Sequence, residues 1–275
     1  MHFDFHFTAV QILWTLTFAG LLVLLVVLLG RDRARRFPWF TVSMVLMGLR
    51  MLASRLLYNK IAALTSTEIF LTLADVGMVV ALLVVIEMAR RAFSRVSRVL
   101  WIAGTLAVLA IGVTVLIMWG PWPAKQTIFA HSTLADLRLM QLVAQKGELL
   151  ADLLMIQVGV LVVFCGRRFN AGWRSHTQRV VLGLSTVSIA QVLLRIAVGA
   201  LANAPAPTTR EQYLRLTGLQ DKLLNANSAV FLAVIVWWIV CLWIDEPGTG
   251  EAPVLDTGAT ADPSVDGSVQ LSSDS

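Results

Sequence analysis

Seven separate stretches of this chain are apolar for long enough to cross a lipid bilayer, and no other feature constrains the fold as strongly. They are Ala9–Leu29, Pro38–Tyr58, Ile69–Met88, Val99–Trp119, Leu149–Phe164, Val180–Leu201 and Leu223–Ile244. A spanning helix needs roughly 17–25 mostly apolar residues, and in lipid only helices and closed barrels satisfy their own backbone. Charged residues make up 14% of the chain, against about 25% in soluble domains. The expected fold is therefore all-α: a polytopic seven-helix transmembrane bundle over residues 1–245.

Seven spans put the two termini on opposite sides, and Lys and Arg placement predicts which side is which. Arg31, Arg33, Arg35 and Arg36 fill the first loop. Arg90, Arg91, Arg95 and Arg98 fill the third, and Arg167, Arg168, Arg174 and Arg179 the fifth. The even-numbered loops are sparser, with Lys60, then Lys125, Arg138 and Lys146, then Arg210, Arg215 and Lys222. This bias predicts an amino terminus outside and a cytoplasmic carboxyl terminus, in a cell membrane, the bacterial inner membrane or a plasma membrane. The net charge of +5 follows from these arginines, which anionic lipid attracts, so no nucleic-acid partner is implied. The first span is not expected to be a cleavable signal. Met1-His2-Phe3-Asp4 is no basic n-region, and Arg31 to Arg36 would stop transfer. Cys165 and Cys241, near cytoplasmic span ends, are expected to be buried small apolar groups and not a disulfide.

Tryptophans mark the interfaces, Trp39, Trp101, Trp173 and Trp243 at cytoplasmic ends and Trp119 and Trp122 at an outer end. Gly120-Pro121-Trp122-Pro123 stops the fourth span. Thr133 and Asp136 have capping-box spacing, which predicts a helix starting there and running through Gly147 into the fifth span. Thr209 to Leu216 reads as a short separate outer helix. From Asp245 onward seven acids and no Lys or Arg occur among Gly, Ser, Pro and Thr, so residues 246–275 are expected to form a disordered acidic cytoplasmic tail. A weak repeat is also visible. Gly30 to Trp39 resembles Gly166 to Trp173, Leu49-Arg50-Met51 resembles Leu194-Arg195-Ile196, and Ala74-Asp75 resembles Ala226-Asn227. Spans one to three and five to seven would then be parallel repeats joined by the fourth, an arrangement known in transporters.

The chemistry lies in charges inside these spans. Arg50, Asp75, Glu148, Asp152 and Arg195 fall at depths of roughly 8–12 Å or less from the outer ends, at about 1.5 Å per residue, with Asn225 and Asn227 close by. Intramembrane charges need partners or a wet cavity. Ser185, Ser188, Gln191 and Arg195 share one helix face, as do Glu148 with Asp152 and Thr72 with Asp75. Arg50 and Arg55 lie about 140° apart round the helix, so Arg55 is assigned to the outer interface as a snorkelling side chain. Two readings follow. In one, Arg50–Asp75 and Arg195–Asp152 are structural pairs. In the other, Arg50, Asp75, Asp152, Gln191, Arg195 and Asn227 line an outward-facing site for a small polar or anionic ligand, arginine being suited to carboxylate or phosphate. The inner half is dry: Leu21–Leu29, Val79–Ile86, Val158–Phe164 and Val230–Ile244 carry no charged or amide group. One-sided polarity favours binding over passage. Glu87 beside Arg90 and Arg91 reads as a surface pair, His176 as a solvated loop residue, and Trp14, Trp237 and Trp238 as packing residues. His2, Asp4 and His6 form a weak metal-like pattern, from which no metal is assigned.

No catalytic motif is present, so neither enzymatic activity nor a cofactor is expected. Rhodopsins resemble the outline, but their mid-span lysine has no counterpart, Lys222 standing at an outer end. Sugar transporters of three-plus-one-plus-three helices share the topology without the Pro-Gln repeats, and seven-helix modules preceding bacterial signalling domains share it without such a domain following. No family is assigned. The expected function is receptor-like or accessory, signalling through a separate cytoplasmic or membrane partner protein, with a small-molecule transporter and a scaffold held by structural charge pairs as alternatives.

Overall fold

A computed structural model describes residues 9–57, 60, 62–93, 97–119, 133–165, 175–203 and 209–244. All regular structure among them is helical: α1 (Ala9–Gly30), α2 (Arg33–Arg36), α3 (Pro38–Leu56), α4 (Ala63–Ala92), α5 (Arg98–Met118), α6 (Thr133–Cys165), α7 (His176–Ala202) and α8 (Arg210–Trp243). Six of these, α1 and α4 to α8, are long and apolar enough to cross a membrane, which makes this a multi-pass membrane protein. The 19-residue α3 is less apolar, carrying Arg50, Arg55, Thr41, Ser43 and Ser54. At about 1.5 Å per residue it is still nearly as long as a bilayer core is thick.

Local chemistry sets several boundaries. Asp32 follows α1 in the left-handed region at φ 55°, which aspartate tolerates better than most residues. Pro38 then opens α3 at its first turn, where a missing N–H costs nothing. α6 starts at Thr133 and runs unbroken through Gly147 to Cys165, as the capping pattern predicts. The Thr209 side chain accepts from Gln212 N at the head of α8, but the helix then continues to Trp243. Thr209 to Leu216 is thus the first turns of a 34-residue helix and not a separate element, because no Pro or Gly pair interrupts the backbone ladder before the apolar run. Tyr58, the loop after Trp119, Arg167 to Arg174, His2 to His6 and the acidic tail lie outside the described residues.

The helices close into a ring in the order α1–α3–α4–α6–α7–α8, with α8 returning onto α1. α4 also reaches α7 across the ring, whereas α5 stands outside and packs on α6. Small residues permit the closest approaches, as they do in membrane bundles. A β-carbon on Gly159 of α6 would lie 2.0 Å from Ser185 Oγ of α7, and that hydroxyl donates to Met155 O at 3.0 Å. A β-carbon on Gly183 of α7 would lie 2.3 Å from Trp238 Nε1 of α8.

Chain direction brings the basic segments to one end. Arg31 lies over the Trp243 ring at 5.2 Å, and Arg91 over Phe37 at 5.1 Å. The apolar core sits toward this end, around Leu21, Leu24, Leu28, Phe37, Phe40, Met88, Trp238 and Leu242, all fully buried. Two sequence expectations change here. Glu87 is buried, not a surface group. It pairs with Arg91 at 3.1 Å and accepts the Phe40 N–H at 3.1 Å, one of the orphan donors at a helix start. His176 is fully buried, not solvated, because it opens α7 inside the bundle next to its cap Ser175. Cys241 is buried and a free thiol.

Candidate functional site

α3 packs on α1 and α4, but among the described residues its backbone does not approach α6, α7 or α8. Side chains bridge the gap. Near the basic end, the Phe40 ring meets Trp238 edge-on at 5.1 Å. Ten residues later on α3, about 15 Å along the helix, Arg50 Nη1 reaches Glu148 Oε1 of α6 at 3.4 Å. A cavity of about 390 Å³ lies among α3, α4, α6, α7 and α8. Its lower part is apolar, with Met44, Val84, Val85, Phe231 and Trp238, and its upper part holds Arg50, Glu148, Asp152, Gln191 and Arg195.

The upper groups form one ion network. Glu148 gives one oxygen to each arginine, Oε1 to Arg50 and Oε2 to Arg195 Nη2 at 3.3 Å. Arg195 Nη2 also meets Asp152 Oδ2 at 3.4 Å, and its Nη1 donates to Gln145 O at 3.0 Å. Helical phase explains the set: Glu148 and Asp152 are four apart on α6, and Ser188, Gln191 and Arg195 follow at helical spacing on α7. The two arginines are not equivalent. Arg195 has several acceptors and a side chain 28% exposed, while Arg50 has one long contact and is 48% exposed. Two cations face two carboxylates, so the network is neutral in sum and Arg50 keeps unused donors.

Among the sequence-predicted site residues, Arg50, Asp152, Gln191 and Arg195 come together around the cavity, and Asp75 and Asn227 do not line it. The Arg195–Asp152 pair is present. Arg50 pairs with Glu148 and not with Asp75, because α6 presents its acidic face across the gap toward α3. Among the described residues Asp75 Oδ1 is buried without a hydrogen-bond partner, and the neighbouring Thr72 hydroxyl donates to Glu68 O at 2.8 Å. Ser185, on the predicted polar stripe, serves the α6–α7 packing described above. Arg55 stands 5.9 Å over the Trp14 ring, an aromatic contact at the end where snorkelling was expected. Glu148 is the residue whose centrality went unrecognised. Its four-residue spacing from Asp152 was the available signal, but nothing in a single sequence states which arginine it faces. Among the described residues no group of three metal-ligating side chains gathers. Comparisons of the chain with protein-family models, curated proteins and solved structures return no match.

Proposed function

We propose that this is a seven-helix, receptor-like or accessory membrane protein that holds a small polar or anionic ligand in the central cavity. In this reading α3 is the seventh span, the basic end is cytoplasmic, and the ligand enters from the opposite side. The supporting observation is the under-used Arg50 guanidinium at the mouth of a cavity whose other arginine is already held by Glu148, Asp152 and Gln145 O. A carboxylate or phosphate fits a planar guanidinium, and would compete with Glu148 for Arg50 while Arg195 stays in place. The apolar lower cavity favours a ligand with a short apolar part beneath its acidic or zwitterionic group. The core around Phe40 and Trp238 closes the basic end, which favours recognition over passage. A signal would leave through a partner protein on the basic loops.

The test is thermal-shift screening of short-chain carboxylates and organophosphates against wild type and Arg50→Ala. The expected result is a rise in melting temperature for wild type that Arg50→Ala loses. Equal shifts in both proteins would remove Arg50 from the site. A second reading, transport, draws on the ring itself. The rows α1–α3–α4 and α6–α7–α8 meet through α4 on α6 and α8 on α1, the closure that two parallel three-helix repeats would give. Uptake of a hit compound into proteoliposomes, abolished by Arg195→Ala, would replace recognition with transport.

A further inference from the structure

A second cleft, of about 690 Å³, opens at the basic end between the start of α3 and the end of α4, with Thr177 of α7 beside it. Arg36, Arg90 and Arg91 line it, with Glu87 as the single carboxylate. Two of these arginines are held by the same ring: Arg36 lies 5.9 Å and Arg91 5.1 Å from the centroid of the buried Phe37. Glu87 is already committed to Arg91 and to the Phe40 N–H. Arg90 is exposed and, among the described residues, has no such acceptor. Among the described lining residues the cleft thus holds three guanidiniums beside one engaged carboxylate, with the exposed Arg90 placed to meet an anion.

The cleft's remaining wall is apolar. Leu83, Ile86 and Arg90 follow each other at helical spacing on α4, so one stripe runs from hydrocarbon surface to cation. Ile86 is 51% and Trp39 41% exposed. Large apolar side chains facing outward directly below a cation match the join between acyl chains and headgroups, where tryptophan also concentrates. A soluble anion would use the arginines and leave this wall without a role.

We propose that this cleft binds one anionic phospholipid, its phosphodiester held by Arg36, Arg90 and Arg91 and its acyl chain lying along Leu83, Ile86 and Trp39. The site is separate from the central cavity and stands whether or not that cavity binds a ligand.

Native mass spectrometry of the full chain in detergent, with phosphatidylglycerol or phosphatidylcholine added, tests this. Phosphatidylglycerol should be retained and phosphatidylcholine lost. Arg90→Gln should weaken phosphatidylglycerol retention about fivefold, the loss of one interfacial cation, and adding Arg36→Gln should weaken it further. Arg35→Gln, whose side chain is 88% exposed and pairs with Asp32, should leave retention unchanged. Circular dichroism of each variant confirms that it is folded. Equal retention of both lipids, or unchanged retention in Arg90→Gln, would overturn the proposal. So would displacement of phosphatidylglycerol by inorganic phosphate at equal concentration, which would make the site a receptor for a free anion.

Discussion

Glu148 decides how the charges inside this bundle divide their work, since each of its oxygens faces a different arginine. An ion pair is worth more as its members leave solvent, and exposed pairs are worth about 0–1 kcal/mol. Double-mutant cycles on thermal unfolding in lipid-supplemented detergent should therefore separate the two contacts. Coupling of about 1 kcal/mol or more is expected for Arg195 with Glu148, and less than about 0.5 kcal/mol for Arg50 with Glu148. Equal couplings would make Arg50 as structural as Arg195 and would leave it no spare capacity for a ligand. Asp75 gives the opposite contrast. Among the described residues its buried Oδ1 lacks a donor, and a buried polar atom without a partner costs about 1–3 kcal/mol. Asp75→Asn should hold or raise the melting temperature, whereas Asp152→Asn, which weakens the contact to Arg195, should lower it. A matching loss in both would mean that Asp75 has a partner in the membrane.

At the scale of elements, the helices were legible from apolar run lengths because a bilayer demands about 20 apolar residues in sequence. Helix ends were less so. α8 begins 13 residues before the apolar run at Leu223, because propensity and the Thr209 cap carry the helix beyond the lipid-facing segment. The members of the ion network were legible as charged groups within apolar runs, but pairings depend on which faces adjoin. Arg50 finds Glu148 and not Asp75 because the gap beside α3 is bordered by α6, a relation between distant elements that periodicity does not encode. Glu87 was misplaced for the same reason: its partner Phe40 is 47 residues away. The glycines show how those faces are set. Gly183 leaves room for the Trp238 indole against α7, and Trp238 in turn meets Phe40 edge-on. Gly183→Val should displace the indole and destabilise the bundle by about 1–3 kcal/mol, with a shift in tryptophan fluorescence. An unchanged spectrum with unchanged stability would detach Trp238 from this packing.

Across the described residues, the ring places a polar layer near one end and a largely apolar core with a belt of arginines at the other, and this asymmetry has meaning only once the chain is oriented in a membrane. α3 is the element on which orientation turns. With Arg50 and Arg55 in 19 residues it lacks the long apolar run of the other six, and if it did not cross, every later span would reverse. Lys60 and Arg35 flank its two ends, both exposed. In a Cys165→Ser, Cys241→Ser background, single cysteines at these positions can be probed in intact cells with a membrane-impermeant maleimide. The basic-loop bias and a spanning α3 together require that Lys60→Cys be labelled directly and Arg35→Cys only after permeabilisation. The reverse pattern would put the arginines outside, against the usual charge rule, and would turn the cavity toward the cytoplasm. Labelling of both from one side would take α3 out of the membrane-crossing set and leave Arg50 in a helix that enters and returns, so that the ion network would tie a re-entrant segment to α6 and α7 and not line a through-bundle site.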